Sequence, residues 1–116
     1  MSMTVREALV EKITPVIAVQ DAASIAPSLP VAYLAVLSTT TRKYGYESSA
    51  LLSAGAKTEE ELRTLVADIK AALGSSVTAS DGRRLARVTW DAQEAVKMLD
   101  GSWGQRISLK IIHWEA

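Results

Sequence analysis

The chain has 116 residues, 48% of them apolar and 22% charged, the size and make-up of a single globular domain with a core of its own. Thirteen basic residues balance thirteen acidic ones, so no net field draws the chain to nucleic acid, an anionic membrane or an acidic substrate, and none opposes self-association. Cysteine is absent, which excludes disulfides, a thiolate nucleophile and a cysteine-built metal site. The apolar runs fall well short of the roughly 20 residues of a membrane span. Arg6, Glu7 and Glu11 interrupt the N-terminal region, so no secretory signal is expected.

Thr4 and Glu7 have capping-box spacing, and Val5, Ala8, Leu9 and Ile13 follow on one helical face. This helix should end by Thr14, because Pro15 disfavours helix in the residue before it. Residues 16–19 suit a short strand, and 20–29, rich in Ala, Ser and Asp, a surface connection. From Pro30 both alternate sets are apolar, Val31/Tyr33/Ala35/Leu37 and Ala32/Leu34/Val36, and Thr39-Thr40-Thr41 follow. A run of this kind fits a buried helix as well as a strand, and the β-branched threonines favour strand. A turn is expected at 42–45. Residues 46–56 remain open between a strand and a loose helix.

Residues 58–74 carry the most regular pattern. Leu62, Leu65, Val66, Ile69, Ala72 and Leu73 have the spacing of one buried helical stripe. Thr58 and Glu61 form a second capping box, Glu59–Glu61 and Lys70 suit the helix dipole, and Gly74 can stop the helix. Residues 75–83 read as loop, and 85–90 alternate as a half-exposed strand. Residues 91–99 are open, since Ala92, Ala95, Val96 and Leu99 also have helical spacing. Asp100-Gly101 is a turn pair, and 106–114 is the clearest strand, with Ile107, Leu109 and Ile111 facing one way and Arg106, Ser108 and Lys110 the other. The expected fold is a single α+β domain, an antiparallel or mixed sheet of about four strands packed against two main helices.

No catalytic signature is present. His113, the only histidine, falls in register with Ile107, Leu109 and Ile111. Without a serine elbow or accompanying acid motif, a structural role at a strand end is expected of it. Asp81, Asp91, Glu94 and Asp100 lack the spacing of a calcium loop and read as solvated acids. Arg83, Arg84 and Arg87, or Arg42 and Lys43 beside Tyr44 and Tyr46, have the chemistry to meet phosphate or stack a base, but in a neutral chain they read as solvated turns and guarded edges. The glycines form no phosphate-binding pattern. No enzyme activity, metal or cofactor is expected. Three Trp and three Tyr with no Phe is unusual, and Trp103 and Trp114 are placed for partial exposure. With Ile112, Arg42 and Lys43 they are the candidate protein interface, unless the first helix covers that face.

Three stretches carry a resemblance. Leu29-Pro30-Val31-Ala32-Tyr33-Leu34 follows a helix and loop and opens a strand; 46–56 leads into the acid-capped helix 58–74; and 85–98, the Asp100–Trp103 turn and 106–114 close the chain, with Trp114-Glu115 as an aromatic-acidic end. In this order of elements the chain resembles the tail terminator, or minor tail protein U-like, proteins of long-tailed phages and related tail-completion proteins. The resemblance implies a virion protein, present in the host cytoplasm during assembly, that closes the tail tube as a homo-hexameric ring and meets the head-side connector. It implies no small-molecule substrate, membrane or specific nucleic acid, and no catalytic or cofactor residue. A soluble module that binds a host or toxin partner through a Trp-bearing surface is the competing expectation.

Overall fold

The computed structural model describes residues 4–20, 29–43, 45–78 and 84–113. Helix α1, Val5–Ile13, begins on a complete capping box: Thr4 Oγ accepts from the Glu7 amide at 3.1 Å, and the Thr4 amide donates back to the Glu7 carboxylate at 3.4 Å. Val5, Ala8, Leu9 and Ile13 are its buried face. The amides of Val16 and Ile17 then close onto the Ile13 carbonyl. That turn uses the donors a strand at 16–19 would need, so strand β1 is Val19–Gln20.

Strands β2, Val31–Arg42, and β3, Gly45–Ala56, form a long antiparallel hairpin. The open segment 46–56 is therefore strand. Its Ser, Ala and Gly residues have little strand preference of their own, and pairing decides the matter. β3 bonds to β2 along one edge and to β7, Trp103–His113, along the other, which satisfies its backbone on both sides.

Helix α2, Glu59–Leu73, buries Leu62, Leu65, Ile69 and Leu73. Thr58 Oγ caps the Glu61 amide at 3.1 Å, but the box is only half made, because Glu61 shows no return bond to Thr58. Glu59 instead pairs with Arg63 at 2.9 Å, and Gly74, with φ 62°, stops the helix.

The remaining strands are β4, Val77–Thr78, β5, Arg84–Ala92, and β6, Val96–Lys97. The open segment 91–99 is not a helix. Asp91 and Ala92 finish β5, and β5 and β6 both pair antiparallel with β7, so they are one line of strand broken at 93–95. Pairing with β7 outweighs the helical spacing, and Val96 and Leu99 end up exposed rather than on a buried stripe.

The sheet runs β1-β2-β3-β7-β5-β4, with β6 pairing β7 beyond the end of β5. Among the described residues the sheet therefore has seven strands rather than about four: β2, β3, β5 and β7 are long, and the other three have two residues each, too short to show as an apolar alternation. β1 lies parallel to β2 and the other pairs are antiparallel, so the sheet is mixed. Both helices cover one face. Leu9, Ile13, Leu62, Ile69 and Leu73 meet Leu34, Leu52, Ile107, Leu109 and Ile111 there. On β7 the odd-numbered residues Ile107, Leu109, Ile111 and His113 point into this core, while Arg106 and Lys110 stand exposed on the outer face. Among the described residues no helix covers that outer face, and none is long and apolar enough to cross a membrane.

Candidate interface

The five candidate interface residues do not form one patch. Arg42 and Lys43 end the β2–β3 hairpin. Arg42 Nε donates to Glu47 Oε2 at 2.9 Å, and a second guanidinium nitrogen also contacts that oxygen. This hydrogen bond holds the Glu47 carboxyl below its ordinary value of 4.5, against a smaller opposing effect of burial, with the charges of Arg42 and Lys110 adding to the lowering. Glu47 lies opposite Ile112, and Arg87 flanks Ile112 on its other side, so Arg42, Glu47, Ile112 and Arg87 share one end of the outer face. Trp103 opens β7 nine residues before Ile112, about 30 Å away along the strand. Its odd number gives it the inward parity of Ile107, and it is half-buried against the core. Trp114, like Tyr44, Asp81, Arg83 and Glu115, lies outside the described residues.

A feature the sequence reading missed lies beside Trp103. The β6–β7 turn is a tongue that leaves apolar side chains open to solvent: Val96 is 57% exposed, Met98 52% and Leu99 fully. Asp100 holds the turn by accepting from the Ser102 hydroxyl at 2.6 Å and the Ser102 amide at 2.9 Å, and Gly101, with φ 88°, supplies the left-handed residue. The same two bonds, the hydroxyl's first, hold the Asp100 carboxyl below its ordinary value of 3.8. Between the tongue and the outer sheet face is an open cleft of about 510 Å³, walled by Tyr33, Met98 and Arg106. Gly55 and Gly104 face each other in its floor, where a Cβ on Gly55 would come 3.2 Å from Val31 Cγ1.

His113 is fully buried and its ring stacks on Tyr46 at 5.6 Å between centroids. Its Nε2 lies 2.7 Å from Ser48 Oγ, which in turn lies 2.8 Å from Thr39 Oγ. Ser48 was legible as its neighbour only from the register of β3 with β7. A serine hydroxyl beside an imidazole is the start of a nucleophile pair, but neither side chain is reachable from solvent. Asp91 lies on the outer face of β5, Glu94 in the break at 93–95, and Asp100 in the turn. Among the described residues no three potential ligands come together around a metal position.

Neither a protein-family model nor a curated protein sequence matches the chain. Among solved structures it is similar to a protein chain described as belonging to the virion of a native gene transfer agent (GTA) particle, with a TM-score of 0.64 and 14% identity, over 94% of this chain and 93% of that one. At that identity the two share a fold.

Proposed function

We propose that this chain is a structural protein of a phage or prophage virion, a tail terminator or head–tail joining protein that assembles as a ring on the tail tube. The observation that carries this reading is the likeness to a virion component across nearly the whole length of both chains. The order of elements supports it, since the long hairpin, the acid-capped helix and the closing strand pair are those of the tail-completion proteins the sequence resembles. The site chemistry agrees with a contact role, its one Ser–His pair being sealed in the core. On this reading the chain is not an enzyme, its partners are further copies of itself together with tail-tube or connector proteins, and its place is the virion. The experiment is to add purified protein to tails assembled without a terminator and to image them by electron microscopy. Tubes of defined length capped by this protein are expected; overgrown tubes with the protein left in the supernatant would overturn the reading.

The exposed Val96, Met98 and Leu99 beside the cleft favour a second reading, a module that binds a host or toxin protein. Replacing all three by serine helps distinguish the two: the module reading expects a parent that leaves tails uncapped and a variant that loses partner capture, whereas a parent that caps tails favours the terminator.

A further inference from the structure

We infer that the outer face of the sheet, which no helix among the described residues covers, docks the solvent-facing side of α2 from a second copy of this chain, in a head-to-tail contact. This rests on the self-assembling reading above and names the surfaces it would use. Where β2, β3 and β7 run side by side the outer face is built mostly of small residues, with Leu51 and Tyr33 as larger members. Ala35, Ser49, Leu51, Ser53 and Ser108 stand on it and are only partly covered. Small side chains on a sheet leave room for a helix to approach. Along one margin are Arg106 and Lys110 of β7, both exposed, with Arg87 of β5 beyond them. Asp91 is also there, and Glu47 is taken up by Arg42, so cations are in excess on this face.

The solvent side of α2 has the opposite character. Its stripe of Leu62, Leu65, Ile69 and Leu73 points inward, which leaves Glu60, Thr64 and Asp68 on one outward row with Glu61 beside it. Thr64, Ala67 and Ala71 keep that side low. The cations of the helix, Arg63 and Lys70, lie on the flank that borders Trp90, and Arg63 is paired with Glu59. Glu61 is not drawn into a capping box. Among the described residues, Glu60, Glu61 and Asp68 form no ion pair, nor do Arg87 and Arg106, and Lys110 acts on Glu47 only at longer range.

The spacings agree as well as the signs. Glu60 and Asp68 are about 12 Å apart along the helix axis, and Arg106 and Lys110 about 13 Å apart along the strand. Because the two surfaces lie on opposite sides of a two-layer domain, the contact joins unlike patches and repeats from copy to copy. Charge complementarity of this exposed kind fixes partner and orientation more than affinity, and salt weakens it.

The test is sedimentation velocity at low ionic strength and rising protein concentration. The parent should associate, less so on adding salt. Arg106→Glu with Lys110→Glu, and separately Glu60→Lys with Asp68→Lys, should each weaken self-association by about tenfold or more. An equimolar mixture of the two double variants should regain it, since each then offers the charge the other lacks. All four positions are exposed, and matching circular-dichroism melts would confirm that the variants fold. Reversed variants that associate as the parent does, or a mixture that fails to recover, would overturn the proposal. So would a parent that stays monomeric throughout, and if such a monomer still caps tails, the terminator reading stands while this contact falls.

Discussion

The imidazole of His113 and the hydroxyl of Ser48 meet at 2.7 Å in a fully buried position, joined across the two central strands of the sheet. Each would be costly to bury alone, and Ser48 in turn meets the hydroxyl of the exposed Thr39, so the pair joins a short polar chain that runs from the core out to solvent. Ser48→Ala removes the hydroxyl that links the other two. It should cost about 1–3 kcal/mol, the penalty of leaving buried polar groups short of a partner. Urea unfolding measures this directly, and an unchanged midpoint would mean that the contact contributes nothing.

The buried stripe of α2 makes a second expectation. Leu65 sits between the helix and the sheet, and Leu65→Asp would place a carboxylate there with no cation to meet it. The loss should be several kcal/mol, a large part of the stability of a domain this size. A circular-dichroism melt as high as the parent's would take Leu65 out of the core.

Two carboxyls contribute to the acid limb of stability. Glu47 and Asp100 both have lowered pKa values in the folded chain, Glu47 through Arg42 and Asp100 through Ser102. A depressed carboxyl adds stability above its unfolded value and loses it as pH falls through the folded value. Their contributions should therefore be full at neutral pH and begin to fade as pH drops past the ordinary values of 4.5 and 3.8. Arg42→Gln should flatten the Glu47 part of the profile and Ser102→Ala the Asp100 part. Thermal midpoints across the acid range test this, and identical profiles for parent and variants would contradict it.

The tongue depends on one backbone angle. Gly101 has φ 88°, and nothing lies within 4 Å of where its Cβ would be, so an added methyl meets strain and no clash. Gly101→Ala should cost about 1 kcal/mol and loosen 98–102 first, which amide exchange at Met98 and Ser102 would report. Exchange unchanged at those amides would show that the turn tolerates the strain.

How far the sequence disclosed this molecule depended on how local each decision was. Helix α2 was legible because its stripe, its cap and its stop all lie within the segment. Strand β7 was legible because apolar and polar residues alternate strictly from Arg106 to Lys110. Strand β3 was not, since Ser, Ala and Gly acquire their conformation from neighbours in β2 and β7. Residues 91–99 stayed open for the same reason, their helical spacing losing to a pairing partner later in the chain. The inward turn of Trp103 was legible in principle, because it has the parity of Ile107. Solvent exposure of Leu99 was not, because nothing in the tongue's own residues says that the core ends before it.

Among the described residues, the strand that sits between β3 and β5 comes later in the chain than the other six. Until β7 arrives, β3 offers a long unpaired edge of small residues, and β5 has only the two-residue β4 beside it. Folding of this sheet during synthesis therefore waits on its final strand. A ribosome that stalls before Trp103 would release a chain with two open edges, the kind of surface that pairs with its own copies before it can close on itself.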